Sequence, residues 1–145
     1  MSKFIYRMRA EERLASAGAY LGVILPLWGL LIAWAIREAW RERSRHVVFH
    51  TTQAIWTQAG LLAATVVYAL DHMALKVLIF AARPIGGAHG WAVWLSRVND
   101  AVIVILALAY VAVCLVVAWL VLDNRPVVLP LIGPRIRRQV FDAER

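Results

Sequence analysis

Residues 14–36, 51–70 and 101–122 contain no Asp, Glu, Lys, Arg or His, and short charged segments separate them. A helix rises about 1.5 Å per residue, so each run, coiled as a helix, matches the roughly 30 Å of bilayer hydrocarbon. None of the runs alternates polar with apolar positions, which removes a membrane β-barrel from consideration. The pattern therefore predicts an all-α integral membrane protein forming a single membrane domain. It has a hydrophobic N-terminal segment over 14–36, long transmembrane helices over 51–70 and 101–122, a charged link over 37–50, a loop over 71–100 and a basic tail over 123–145. Residues 1–13 mix aromatic, basic and acidic side chains and read as an interfacial lead-in.

Pro26, near the middle of the first run, removes a backbone donor and crowds the preceding turn, so the segment must bend or turn back there. The basic residues favour turning back. If the run crosses once, the two sides hold seven and nine basic residues, which discriminates nothing. If it folds back as a re-entrant hairpin, thirteen basic residues share one side and three remain on the other. Proline and three glycines over 83–90 predict a loop, and Trp91 and Trp94 beyond it have the spacing of an aromatic anchor at the head groups.

Composition agrees with this picture. The chain is 62% hydrophobic and 17% charged, too few charges to coat a soluble domain of 145 residues. The net charge of +7 suggests nucleic acid until its distribution is examined. The basic residues flank the apolar runs, where they orient the chain and meet anionic lipid, so no nucleic-acid partner is expected. The single cysteine, Cys114, falls inside the last run and reads as a small packing residue. Ala33-Trp34-Ala35 resembles a signal-peptidase site, but the preceding apolar run is too long for that and is expected to stay uncleaved.

Few motifs carry chemistry. Gly18 and Gly22, four apart, offer a close-approach helical face; Ala107, Ala112 and Ala118 repeat the idea more weakly. His46 and His50 lie four apart, with Gln53 and Ala54 following on. Two histidines on one helical face could ligate a haem or a chlorophyll, yet structural zinc wants four ligands and no carboxylate or cysteine is near. No metal or cofactor is assigned, and the stripe reads instead as a polar belt at the membrane surface. Cys114, Ser16, Ser44 and Ser96 lack a positioned base, so no catalytic residues are assigned and the chain is read as no enzyme. All nine carboxylates lie outside the apolar runs, which counts against an ion-coupled pump.

The stretch Ser44-Arg45-His46-Val47-Val48-Phe49-His50-Thr51-Thr52-Gln53-Ala54-Ile55 resembles a segment of chloroplast-import translocon proteins of the Tic-twenty type. It is also similar to a bacterial family of unknown function with a His-x-x-x-Ala signature, matched by His50 and Ala54. Tyr20, Pro26 and Trp34 in a proline-broken first segment, and 124–132 after the last helix, fit the same groups. The resemblance implies a membrane scaffold acting in translocation or assembly; the basic residues place the tail on the cytoplasmic side of an inner (plasma) membrane. Its partners would be lipids, other membrane proteins or a second copy, met through His46, His50, Gln53, Ala54, Gly18 and Gly22. The alternatives are an accessory subunit of a respiratory or photosynthetic complex, with His46 or His50 as axial ligand, and a small-solute channel or transporter.

Overall fold

The structure, a computed structural model, describes residues 8–84, 86–125, 127–130 and 132–141, with backbone only at Pro26 and 86–89. Five α-helices run in order: α1 (Ala10–Leu21), α2 (Pro26–Ala39), α3 (Arg45–Ala81), α4 (Gly86–Leu122) and α5 (Gly133–Phe141). No strand occurs among the described residues.

The first apolar run breaks where proline predicts. A 3-10 turn over Gly22–Ile24 closes α1, Leu25 leaves helical geometry at φ −118° and ψ 82°, and Pro26 opens α2. Proline suits that position because the first helical N–H has no partner to lose. The chain then folds back on itself. A Cβ on Gly29 would overlap the Gly22 carbonyl, and one on Gly22 would sit 2.9 Å from the Gly29 Cα. Further down, the space beside Gly18 ends on the Ile36 side chain, 4.0 Å from a built Cβ. So α1 and α2 form an antiparallel hairpin whose backbones touch through the glycine pair.

The hairpin lies against one end of a second, much longer one. α2 packs along α3, and α1 packs along α4 and α3. Small residues set the spacing: Ala17, Ala19, Ala33, Ala54 and Ala118 are all at most 2% exposed, around Tyr20, Val117 and Val121. Every buried residue of α3 falls between Val47 and Gln58. Beyond Gln58 the stems of α3 and α4 have only each other.

These stems correct the expected loop over 71–100. α3 and α4 each have 37 residues, and only a short turn joins them. Asp71 and His72 do not end a helix; Asp71 is met across the pair, and His72 lies beside Asp100. Tyr68 Oη donates to Asp100 Oδ1 at 2.7 Å, Asn99 Nδ2 donates to Asp71 Oδ2 at 2.7 Å, and His72 Nδ1 lies 3.1 Å from Asp100 Oδ1. The glycines of 86–90 open α4, where a first turn tolerates the roughly 1 kcal/mol that each costs relative to alanine. Trp91 and Trp94 share a face, their rings edge-on at 5.4 Å. The charged link is shorter than expected, since α2 runs to Ala39 and α3 begins at Arg45, with Ser44 Oγ capping the Val47 N–H.

The tail is also structured. α4 ends on Asn124, whose φ of 59° lets the Arg125 N–H reach back to the Leu120 carbonyl at 2.9 Å. The tail then passes back under the bundle, where α5 docks on the start of α3, burying Ile136. Of the interfacial lead-in, residues 1–7 lie outside the described residues, and 10–13 already belong to α1.

α3 and α4 are long and apolar enough to cross a membrane, and their most apolar windows are 0% and 17% buried. A core helix of a soluble protein would be mostly covered at that point. Here Trp56, Val67, Leu70, Ile105, Leu108 and Trp119 are each at least 60% exposed.

Candidate functional site

The polar side chains inside the bundle gather at the end where both hairpins meet. Thr51, Gln53, His50 and Gln58 of α3 and Ser16 and Glu12 of α1 are all buried. Each threonine of the belt returns its hydroxyl to its own helix: Thr51 to the Val47 carbonyl, Thr52 to Val48 and Thr57 to Gln53, at 2.7 to 2.8 Å. Such back-bonding satisfies a hydroxyl without a partner helix.

The glutamines instead tie segments together. Gln58 Nε2 donates to the Ala19 carbonyl at 2.8 Å, close to the end of α1. Gln53 holds the returning tail in the manner of a backbone partner. Its Oε1 accepts from the Leu129 N–H at 2.9 Å, and its Nε2 donates to the Val127 carbonyl at 3.5 Å. Two further bonds close the same end: the Met8 N–H donates to Asn124 Oδ1, and Arg13 Nη1 donates to the Leu122 carbonyl, both at 3.0 Å.

The expected interaction face is therefore occupied by the chain itself. Gln53 and Ala54 are fully buried, Gly22 lies against Gly29, and Gly18 faces Ile36. His50 is 3% exposed, its ring edge-on to Tyr20 at 6.3 Å and to Phe49 at 5.3 Å. His46, half-buried, meets Phe141 of α5 at 5.4 Å. The two histidines share a face of α3 but serve different neighbours, one inside the bundle and one under α5. No group of three or more metal-ligating side chains occurs among the described residues. Cys114 is buried and free. The side chain of His89 lies outside the described ones.

Ser16 Oγ, Tyr20 Oη, His50 Nδ1 and Gln58 Oε1 are buried with no hydrogen-bond partner among the described residues. The sequence places Gln53 in a polar stripe at the membrane surface, hydrogen-bonding within the bundle and offered as an interaction surface. Its clamp on 127–129 gave no sequence signal, because it depends on where the tail returns.

A second polar feature lies on the outer surface of the same end. Arg9, Glu11 and Glu12 at the start of α1 face Trp40 and Arg43, which follow α2, across a cleft of about 370 Å³. In the sequence the two segments read as an interfacial lead-in over 1–13 and a charged link over 37–50. What brings them together is the fold-back at Pro26.

No family model, curated protein or solved structure matches this chain.

Proposed function

We propose that this chain is a non-catalytic integral membrane protein whose task is to hold or assemble other membrane proteins. The observation that carries the reading is the contrast between the two ends of the long hairpin. At one end the polar groups and small residues are spent on contacts within the chain. Along the stems, apolar side chains on α3 and α4 face outward with nothing of the chain to cover them. In water such a surface would aggregate; in a bilayer it meets lipid and leaves broad faces for neighbouring helices.

In this reading α3 and α4 cross the membrane, and α1 and α2 enter and leave from the same side as a re-entrant hairpin. Gly22 and Gly29 turn beside Gln58, some thirteen residues or about 20 Å along α3, close to the middle of a bilayer about 40–45 Å thick with its head groups. The basic residues of 9–13, 37–45 and 125–138 then share a side, which the positive-inside rule makes cytoplasmic in an inner (plasma) membrane. The resemblance of 44–55 to the Tic-twenty type belongs with this proposal and suggests a translocation or assembly setting.

The test is purification of the tagged protein in mild detergent, with mass spectrometry and an absorbance scan on one sample. A stoichiometric membrane-protein partner in a colourless preparation supports the scaffold. Bound haem or chlorophyll that disappears on His50→Ala would replace it with a cofactor-carrying subunit.

A further inference from the structure

We propose that the cleft between the start of α1 and the end of α2 binds the head group of a zwitterionic phospholipid bearing a primary amine, of the phosphatidylethanolamine kind. The proposal rests on the membrane reading above, which places this end of the bundle in the head-group layer.

The cleft is about 370 Å³, near the lower end of small-ligand sites, and is lined by Arg9, Glu11, Glu12, Trp40 and Arg43. That is room for a phosphoethanolamine group and not for acyl chains. Its charges are ordered by depth. Glu12 is only 4% exposed, and its Oε2 is fixed by the Arg9 N–H at 2.8 Å, so one anion is built into the wall. Arg9 and Glu11 stand at the rim, 76% and 63% exposed and 3.8 Å apart. Arg43 is exposed and joins no ion pair among the described residues.

These groups complement a dipolar ligand. Guanidinium forks match phosphate oxygens, and Arg43 has its donors to spare. The carboxylates of Glu11 and Glu12 accept the ammonium N–H groups, and the Trp40 ring adds a face for the cation. An anionic head group without an amine leaves the buried Glu12 charge unanswered. A quaternary amine fits the tryptophan but has no N–H for the carboxylates.

The full-length protein, reconstituted in nanodiscs of equimolar phosphatidylethanolamine, phosphatidylcholine and phosphatidylglycerol, is released into native mass spectrometry and its retained lipid is counted. The expected result is one retained phosphatidylethanolamine, favoured about tenfold over the other two. Arg43→Glu should bring the ratio to parity, Arg43→Lys should keep part of it, and Arg138→Ala, outside the cleft, should leave it intact. Equal retention of all three lipids, or a preference that survives Arg43→Glu, overturns the site. A phosphatidylglycerol preference overturns it in favour of a general basic surface. Soluble phosphoethanolamine that binds at millimolar concentration while lipid retention stays unselective overturns the lipid source. Alkaline carbonate extraction separates this from failure of the membrane reading, since release without detergent would sink that reading alone.

Discussion

Gly29 and Gly60 both sit inside helices, and the structure gives them opposite tasks. A Cβ on Gly29 has to displace the Gly22 backbone, which cannot yield without unfolding the turn. Gly60 has nothing within 4 Å of a built Cβ. Gly29→Ala should therefore cost about 2–3 kcal/mol, at the upper end of overpacking. Gly60→Ala should be neutral or stabilise by up to about 1 kcal/mol through helix propensity. Thermal unfolding in one detergent, followed by circular dichroism, orders the two; equal melting temperatures would remove the glycine contact from the account. Tyr20 supplies a related contrast. Its buried hydroxyl has no hydrogen-bond partner among the described residues. Tyr20→Phe removes a polar group whose burial goes uncompensated, so it should hold or raise the melting temperature. A fall of several degrees would mean that the hydroxyl has a partner, such as an internal water.

At the scale of elements, one residue of α3 ties down the segment that leads into the C-terminal helix. Gln53 supplies the acceptor for the Leu129 N–H and a donor for the Val127 carbonyl. Gln53→Leu leaves both without a partner, at a cost of about 1–3 kcal/mol. The loss falls on the attachment of α5, held otherwise by Ile136 and by Phe141 against His46 and Phe49. Trypsin should then cut at Arg135, Arg137 and Arg138 several times faster in Gln53→Leu than in the parent; unchanged cleavage would show that the clamp does not hold the helix.

The same elements mark what was legible in the sequence. The break at Pro26 was, because proline acts locally. The long apolar helices were, because their signal is composition over twenty residues. The continuation of α3 past Asp71 was legible only in part: 73–82 is apolar enough to extend the helix or to lie at the interface, but Asp71-His72 reads as an exit until Asn99, which meets Asp71 across the pair, is in view. Gly18 and Gly22 announced a close approach but not its target: the partner, Gly29, follows from the register of the fold-back. For the same reason Gln53 could be read as bonding within the bundle but not to 127–129, and the cleft of Arg9, Trp40 and Arg43 could not be read at all.

For the molecule as a whole, the decisive quantity is the side of the membrane on which each charged segment lies. α3 and α4, at 37 residues each, are about 55 Å long, more than the 40–45 Å of a bilayer with its head groups. In the membrane reading the turn between them reaches the far side, with Arg83 in the turn and Lys76 in the last turns of α3. The fold-back at the Gly22–Gly29 contact keeps Arg9 and Arg43 together across one cleft, beside the end of α4. Had the first apolar run crossed as one helix, Arg9 and Arg43 would lie on opposite sides. The buried Cys114 is the only native thiol, so Cys114→Ser gives a clean background for single cysteines at 9, 43, 76 and 138. In oriented vesicles, an impermeant maleimide should label 9, 43 and 138 from one side and 76 only from the other. Labelling of 9 and 43 from opposite sides would replace the re-entrant hairpin with a kinked span. It would also dissolve the lipid cleft, because its two halves would no longer share a surface. Labelling of all four from the same side would mean that the long hairpin does not cross, and the exposed faces of α3 and α4 would then need protein rather than lipid to cover them.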